Sequence, residues 1–467
     1  MAGPRFNDPV YGSNVVTGIS ATGNAHQTFN FNQHLESRPF FLFPYEKNED
    51  FVPRPEISSK LNELLPNNCD DFRSAALWGL GGSGKTQIAL EFAYSRYSKR
   101  KCSVFWVHAD SEAKFAQDYG SIASVLGTNT QGSEHELLQN VRHKIESLPR
   151  WLLIIDNADD LSLFGVGSTR ARNTSKIMNY IPNGPNGTIL WISRDEAILG
   201  SLVGVRRGMA VPEMTSEESK VLLESKMPQT IGEDELDDAV LLLEELQFLP
   251  LAISQAGTYM RRTETSVGQY LDGFKEETTR WRMLKEPVFD RYRLQNISNS
   301  ILETWSSSIH HIHQENELAY NILHILAYVD NQTITEQLVD AAAAYGETKH
   351  TEDMLGSKKR EAVRRLKNFS FLVEHYQGDN ECAYEMHKLV KDAIRYNLRN
   401  ASLWDANAKK ATKDSRRLGV CIKRRFRNNG SSKGVTRHGE EYFVSAAAAV
   451  VASTYPRRTH LKPVEAL

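Results

Sequence analysis

The chain has 467 residues, of which 40% are apolar, 9% aromatic and 24% charged, a globular composition able to fill more than one core and about two to four domains. Its formal net charge of −2 leaves no global basic field to favour nucleic acid or a membrane surface, and its longest apolar run, 446–452, is far shorter than the roughly 20 residues a bilayer span requires. The four cysteines, Cys69, Cys102, Cys382 and Cys421, form no CxxC pair, and the start, MAGPRFNDPVYG, has no signal-peptide apolar run, so reduced thiols in a cytoplasmic protein are the expectation.

Residues 1–36 are rich in Gly, Asn, Ser and Thr. Val15, Thr17 and Ile19 alternate with small or polar residues, and Phe29 and Phe31 with Asn30 and Asn32. Low charge and this alternation suit cross-β stacking. Pro9 and the many glycines suit a flexible leader instead, and both readings stand. From about residue 51 to 214 apolar runs alternate with helix-length segments. Predicted strands cover 75–78, 103–107, 151–155, 188–192 and 209–211. Most are near-continuously apolar, as in parallel strands covered on both faces.

The first of these strands runs into Gly79-Leu80-Gly81-Gly82-Ser83-Gly84-Lys85-Thr86, which matches G-x-x-x-x-G-K-[ST]. Glycines let the backbone curl until consecutive N–H groups point at phosphate oxygens. Lys85 can neutralise the β- and γ-phosphates, and the Thr86 hydroxyl can join a Mg²⁺ shell. Gln87 follows and is grouped with the loop as nucleotide-contacting. The helix that begins here aims its positive end at the phosphates.

Trp151-Leu152-Leu153-Ile154-Ile155-Asp156 is an apolar strand ending in a carboxylate about 70 residues after the loop, where a Walker-B Asp holds Mg²⁺. Asn157 follows and cannot act as a base, so hydrolysis is expected to be slow or to rely on another group. A further strand ends in Arg194-Asp195. Its guanidinium can sense a γ-phosphate, or simply pair with Asp195; the sequence leaves the two open.

Beyond Thr215 the signals are helical. Thr215 and Glu218 form a capping box ahead of Val221, Leu222 and Leu223. Val240, Leu241, Leu243 and Leu246, then Ile322, Leu323 and Leu326, show helical spacing. After about residue 400 the pattern decays into a basic stretch from Lys409 to Arg427 followed by NNGSSKG, which is expected to be poorly ordered.

These pieces in this order resemble the NB-ARC branch of the STAND P-loop ATPases, closest to fungal NLR-like proteins, over roughly residues 45–400. Phe51-Val52-Pro53-Arg54 is similar to the family's adenine-contacting motif, with Pro53 where Gly is usual. Leu152 to Asp160 resembles the kinase-2 motif, and GTILWISRD the sensor strand. Phe248-Leu249-Pro250-Leu251-Ala252 resembles GLPLA with Phe248 in place of Gly. Ile301-Leu302-Glu303-Thr304-Trp305-Ser306 resembles the start of the following helical part. Met386-His387-Lys388-Leu389-Val390 resembles the MHD motif, with Lys388 in place of Asp. Without the family, His387 reads as a packed or surface residue.

The resemblance implies an α/β fold: a P-loop NTPase domain (45–214) with a five-stranded parallel sheet and helices on both faces, then a small helical domain (215–300) and a winged-helix domain (301–400); the basic tail (401–467), read from composition, lies beyond it. It implies that Arg54 and Pro250 contact the base of ADP and His387 its β-phosphate, with Lys85, Asp156 and Arg194 in any hydrolysis and Thr86 and Asp156 at Mg²⁺. It further implies exchange of ADP for ATP, opening, self-association and a signal passed by the N-terminal segment to an effector protein, in defence or self/non-self recognition. Two other functions are weighed against this. One is an ATPase with continuous turnover, against which Asn157 speaks. The other is a DNA-binding regulator built on Lys358, Lys359, Arg360, Arg364, Arg365 and Lys367, for which a solvated helix face is the commoner explanation.

Overall fold

A computed structural model describes residues 39–67, 71–98, 102–128, 132–166, 177–228, 230–285, 301–329, 334–345, 352–377, 381–399 and 439–454, nearly all within one unit, residues 40–467. The proposed stacking segment of the leader lies outside these residues.

Six strands form one sheet: β1 (Phe41–Leu42), β2 (Arg73–Trp78), β3 (Ser103–His108), β4 (Trp151–Asp156), β5 (Gly187–Ile192) and β6 (Gly208–Ala210), in the order β1-β3-β4-β5-β2-β6. All pairs are parallel. The sheet thus has one strand more than the five expected. β1 is two residues long at the edge, too short to leave a pattern in the sequence. Every residue of β3, β4 and β5 is buried. Phe105, Val107, Leu153 and Ile155 face one apolar cluster, and Val104, Trp106, Leu152 and Ile154 the other. That two-sided burial is why these strands read as continuous apolar runs.

Helices α1 (Pro55–Leu64), α2 (Lys85–Ser98), α3 (Glu112–Leu126) and α4 (Glu134–Glu146) flank the sheet. The strand order places β5 between β2, which feeds the P-loop, and β4, which ends at Asp156. The carboxyl ends of β2, β5 and β4 therefore converge, the location where open α/β sheets bind ligands.

Five helices follow: α5 (Ser216–Lys226), α6 (Leu236–Glu245), α7 (Pro250–Thr263), α8 (Val267–Lys275) and α9 (Glu277–Lys285). The capping box of Thr215 and Glu218 forms as expected. Gln247 and Phe248 take positive φ of 49° and 53° at the turn into α7. Phe248 thus holds a left-handed conformation that glycine adopts at less cost, which gives a physical sense to the glycine usual at this place.

The next part runs α10 (Ile301–Glu315), α11 (Glu317–Ala327), β7 (Ile334–Thr335), α12 (Glu336–Ala344), α13 (Glu352–Asn368), the hairpin β8 (Val373–Gln377) and β9 (Glu381–Glu385), and α14 (Lys388–Arg399). β7 and β8 both pair antiparallel with β9. One continuous apolar cluster spans α5 to α14, so the two C-terminal parts share a core.

The expectation of a poorly ordered tail is corrected at α15 (Glu440–Thr454). Phe443, Ala446, Ala447 and Val450 are buried in the shared core, a helical i, i+3, i+4, i+7 stripe; the apolar alanine run supplies both the face and the propensity. Among the described residues no helix is long and apolar enough to cross a membrane.

Candidate functional site

The P-loop leaves β2 and enters α2 at Lys85. Gly82 and Gly84 have φ of 92° and 93°, so the curl needs residues that accept positive φ. The loop is also tightly covered. A Cβ on Gly81 would lie 2.9 Å from Thr304 Cγ2 in α10, and one on Gly82 3.0 Å from Leu251 Cβ in α7. Leu251 N–H donates to Gly82 O (3.2 Å), and Trp305 Nε1–H donates to Gly81 O (3.0 Å). Side chains from two later segments therefore fix the loop from above.

Lys85 Nζ donates to Gly79 O (2.8 Å) and Leu80 O (2.9 Å). Burial, with help from the Arg194 charge, lowers its pKa to about 7. The Thr86 hydroxyl lies 3.3 and 3.5 Å from the two Asp156 carboxylate oxygens, longer than a typical O–H···O bond. Asn157 N–H donates to Asp156 Oδ1 (2.9 Å). Burial raises the pKa of Asp156 to about 6.

A cleft opens beside the loop, lined among others by Phe51, Val52, Arg54, Gly82, Ser83, Gly84, Gln87 and Pro250. Gln87 Oε1 accepts from Asn48 Nδ2 (2.9 Å). Arg54 is oriented differently from the expectation of a base contact. Its guanidinium donates to Pro212 O (3.0 Å), Glu213 O (2.7 Å) and Glu218 Oε2 (3.1 Å), so it clips the cleft's wall to the start of α5.

Arg194 turns towards the C-terminal part. It donates to Thr304 O (2.6 Å) and Ser308 Oγ (2.9 Å) in α10, and its Nε lies 3.5 Å from Asp159 Oδ2. The alternative Arg194–Asp195 pair is replaced by another: Asp195, itself fully buried, accepts from Arg365 Nη1 of α13 (2.5 Å). His387 packs edge-on against Trp305, ring centroids 5.7 Å apart. Its Nδ1 accepts from Leu389 N–H (3.2 Å), which leaves the proton on Nε2. Burial pushes its pKa down to about 3, so the ring is neutral. Lys388 N–H donates to Gln247 Oε1 (2.5 Å) and its ammonium pairs with Glu245.

The structure thus gathers Arg54, Gly82, Ser83, Gly84, Gln87 and Pro250 around one cleft, with Lys85, Thr86 and Asp156 behind the loop and Gly79 and Gly81 in its curve. Arg194 and His387 do not line the cleft; they contact Thr304 and Trp305 of α10, the residues that cover Gly81. Trp305, Asn48 and Lys226 escaped the sequence reading as site residues; Lys226 pairs with Asp50 at 2.9 Å across the cleft mouth. In the sequence Trp305 stands only within the segment that starts the following helical part, and Asn48 and Lys226 stand at ordinary polar positions.

The residues fit a nucleotide with Mg²⁺. Ser83 Oγ and His387 Nε2 are buried without a hydrogen-bond partner, although buried polar atoms are nearly always paired, and phosphate oxygens are acceptors for both. Asp156 and Thr86 supply the hard oxygen ligands Mg²⁺ prefers.

Residues 70–193 match the family model described as an AAA domain. The chain is 29% identical over 373 residues, 76% of its length, to a nucleotide-binding leucine-rich repeat (NLR)-like protein of Hyaloscypha variabilis. It spans about a third (36%) of that relative's length. Looser structural likenesses are to a Walker-type ATPase of Pyrococcus abyssi (16% identity, TM-score 0.49, 76% of this chain and 99% of that one) and to Cdc6p of Pyrobaculum aerophilum (14%, 0.36, 75% and 97%). Residues 70–193, which contain the P-loop, thus resemble an AAA domain, and the chain is similar to an NLR-like protein of which it spans about a third.

Proposed function

We propose that the chain is a nucleotide-dependent switch that rests with ADP in the cleft and, on exchange for ATP, releases its C-terminal part and self-associates. The observation that carries this reading is the position of His387: a neutral ring with its only free donor, Nε2–H, buried against the tryptophan that caps the P-loop. A phosphate oxygen accepting that proton would tie α14 to the nucleotide. The order helix, helix, strand, helix, helix, hairpin over 301–385 supports a winged-helix reading of this part. Thr86 and Asp156 would hold Mg²⁺, which neutralises phosphate charge when bound. Both hydrogens of Arg194 Nη1 are taken by Thr304 O and Ser308 Oγ, so turning that nitrogen to a γ-phosphate would give up at least one of these bonds and loosen α10.

The DNA-binding alternative loses support from the same structure. Arg365 pairs with Asp195 and Glu315, Lys359 with Glu336 and Asp340, and Lys367 with Glu374. Defence signalling and effector recruitment rest on the resemblance alone. The direct test is to identify the nucleotide that co-purifies with the chain and to follow its exchange and the size-exclusion profile with added Mg²⁺-ATP. ADP in the isolated protein and an ATP-dependent shift to larger species are expected. A nucleotide-free protein that binds neither ADP nor ATP would end the proposal.

A further inference from the structure

The turn from α6 into α7 touches both the phosphate loop and the start of α14. On one side Leu251 N–H donates to Gly82 O (3.2 Å), and a Cβ on Gly82 would lie 3.0 Å from Leu251 Cβ and 3.6 Å from Leu249 Cδ2. Pro250 lines the cleft. On the other side Gln247 Oε1 accepts from Lys388 N–H (2.5 Å), and the Glu245 carboxylate pairs with the Lys388 ammonium. The stretch 245–251 thus reaches from the loop backbone to the residue after His387.

The turn is tightly built. Gln247 and Phe248 hold positive φ. Phe248 N–H donates to Leu243 O and Phe248 O accepts from Met214 N–H, each at 3.1 Å. Leu246, Leu249 and Leu251 are buried in the shared core. At its far end, Lys388 and Leu389 open α14, where backbone N–H groups have no partner within the helix. Gln247 Oε1 satisfies the first and His387 Nδ1 the second. A lysine in the first turn opposes the helix dipole, so α14 alone gives no reason for Lys388; the Glu245 carboxylate does.

We infer that Glu245, Gln247 and Lys388 are positioning residues for His387, through which the turn 245–251 couples the phosphate loop to α14. The inference rests on the switch reading above. In the resting arrangement Gln247 and Glu245 hold the start of α14, and with it the imidazole against Trp305. A phosphate that displaces Gly82 moves Leu251, and the packed turn carries that movement to Lys388. The Lys388 and Glu245 side chains are 45% and 34% exposed, so their pair is weak enough to be released.

The test follows release of a fluorescent ADP from the full chain and from Glu245→Lys, Lys388→Glu, the exchanged pair carrying both changes, and Gln247→Gly, in which glycine accepts the positive φ. An exposed ion pair shifts an equilibrium by up to about five-fold, so each single variant should release ADP about two- to five-fold faster. The exchanged pair should return to the wild-type rate. Lys388→Glu combined with His387→Ala should release no faster than His387→Ala alone, because a contact that acts through the imidazole then has nothing to position. Wild-type release in the single variants, no recovery in the exchanged pair, or effects that add to His387→Ala would overturn the assignment while leaving ADP binding intact. Failure of the wild type to hold ADP would instead overturn the underlying reading.

Discussion

Lys85 meets two opposing demands. It must be charged to hold phosphate, yet it is buried, and burial brings its pKa down to about 7. The carbonyls of Gly79 and Leu80 keep the ammonium within the loop, so little side-chain entropy is left to lose on binding. A hydrogen bond to a charged group is worth about 1.5–3 kcal/mol, and with two N–H groups held by these carbonyls Lys85 keeps one for phosphate. Lys85→Ala is expected to weaken both ATP and ADP by about 10²-fold or more, read by titration with a fluorescent nucleotide; wild-type affinity would remove the central claim. Asp156 acts through the metal, so Asp156→Asn should weaken Mg²⁺-ATP more than metal-free ADP. Equal losses with and without Mg²⁺ would make its role structural.

At the scale of elements, α15 shows what the charge pattern concealed. Phe443 is fully buried and packs against His324, ring centroids 5.0 Å apart. Truncating such a phenylalanine costs about 3–5 kcal/mol, so Phe443→Ala should lower the thermal midpoint clearly while sparing the distant P-loop. An unchanged midpoint would mean that α15 adds nothing to the core. His324 on α11 is buried with Nδ1 bonded to Tyr320 O (2.7 Å) and its pKa is pushed down to about 3 by burial. The folded protein keeps the ring neutral, whereas the unfolded chain protonates below the ordinary value of 6.5. Its contribution is complete above pH 6.5 and is lost as pH falls towards 3, by an amount on the order of a few kcal/mol. Thermal melts from pH 7 to 4 should therefore show falling stability, with a shallower slope in His324→Leu; parallel slopes would assign the acid sensitivity elsewhere.

For the whole molecule, the described ties between the P-loop domain and the C-terminal part combine apolar packing, with Val52 and Leu80 in the shared core, and polar contacts. Arg194 holds α10, Trp305 of α10 donates to Gly81 O (3.0 Å) and Arg365 of α13 holds Asp195, while within the two C-terminal parts Arg280 of α9 holds Asp392 of α14 at 3.2 Å. An arrangement held this way can shift with a small change in free energy. One donor to a charged phosphate, at about 1.5–3 kcal/mol, moves such an equilibrium by about ten- to a hundred-fold. His387→Ala should speed ADP release and favour the assembled form, whereas Lys85→Ala should prevent ATP-driven assembly. General misfolding would impair both variants alike, so the opposed directions isolate the switch. ADP release and size-exclusion profiles that match wild type in folded His387→Ala protein would take His387 out of the mechanism.

The sequence by itself determined the parallel strands, the phosphate loop and Asp156, because two-sided burial writes continuous apolar runs and phosphate binding demands glycines, lysine and threonine at fixed local spacing. It left β1 and α15 unread: one is two residues long, and the other follows a basic stretch that masks a short apolar stripe. What only the tertiary structure decided is which side chains meet across long separations. Arg54 is drawn to carbonyls 158 and 159 residues away, Trp305 closes on a loop 224 residues earlier, and Arg194 and Asp195 turn to different helices. Such contacts arise from how α7, α10, α13 and α14 pack over the sheet's edge, and no local spacing encodes the direction in which a guanidinium or an imidazole will point once they do.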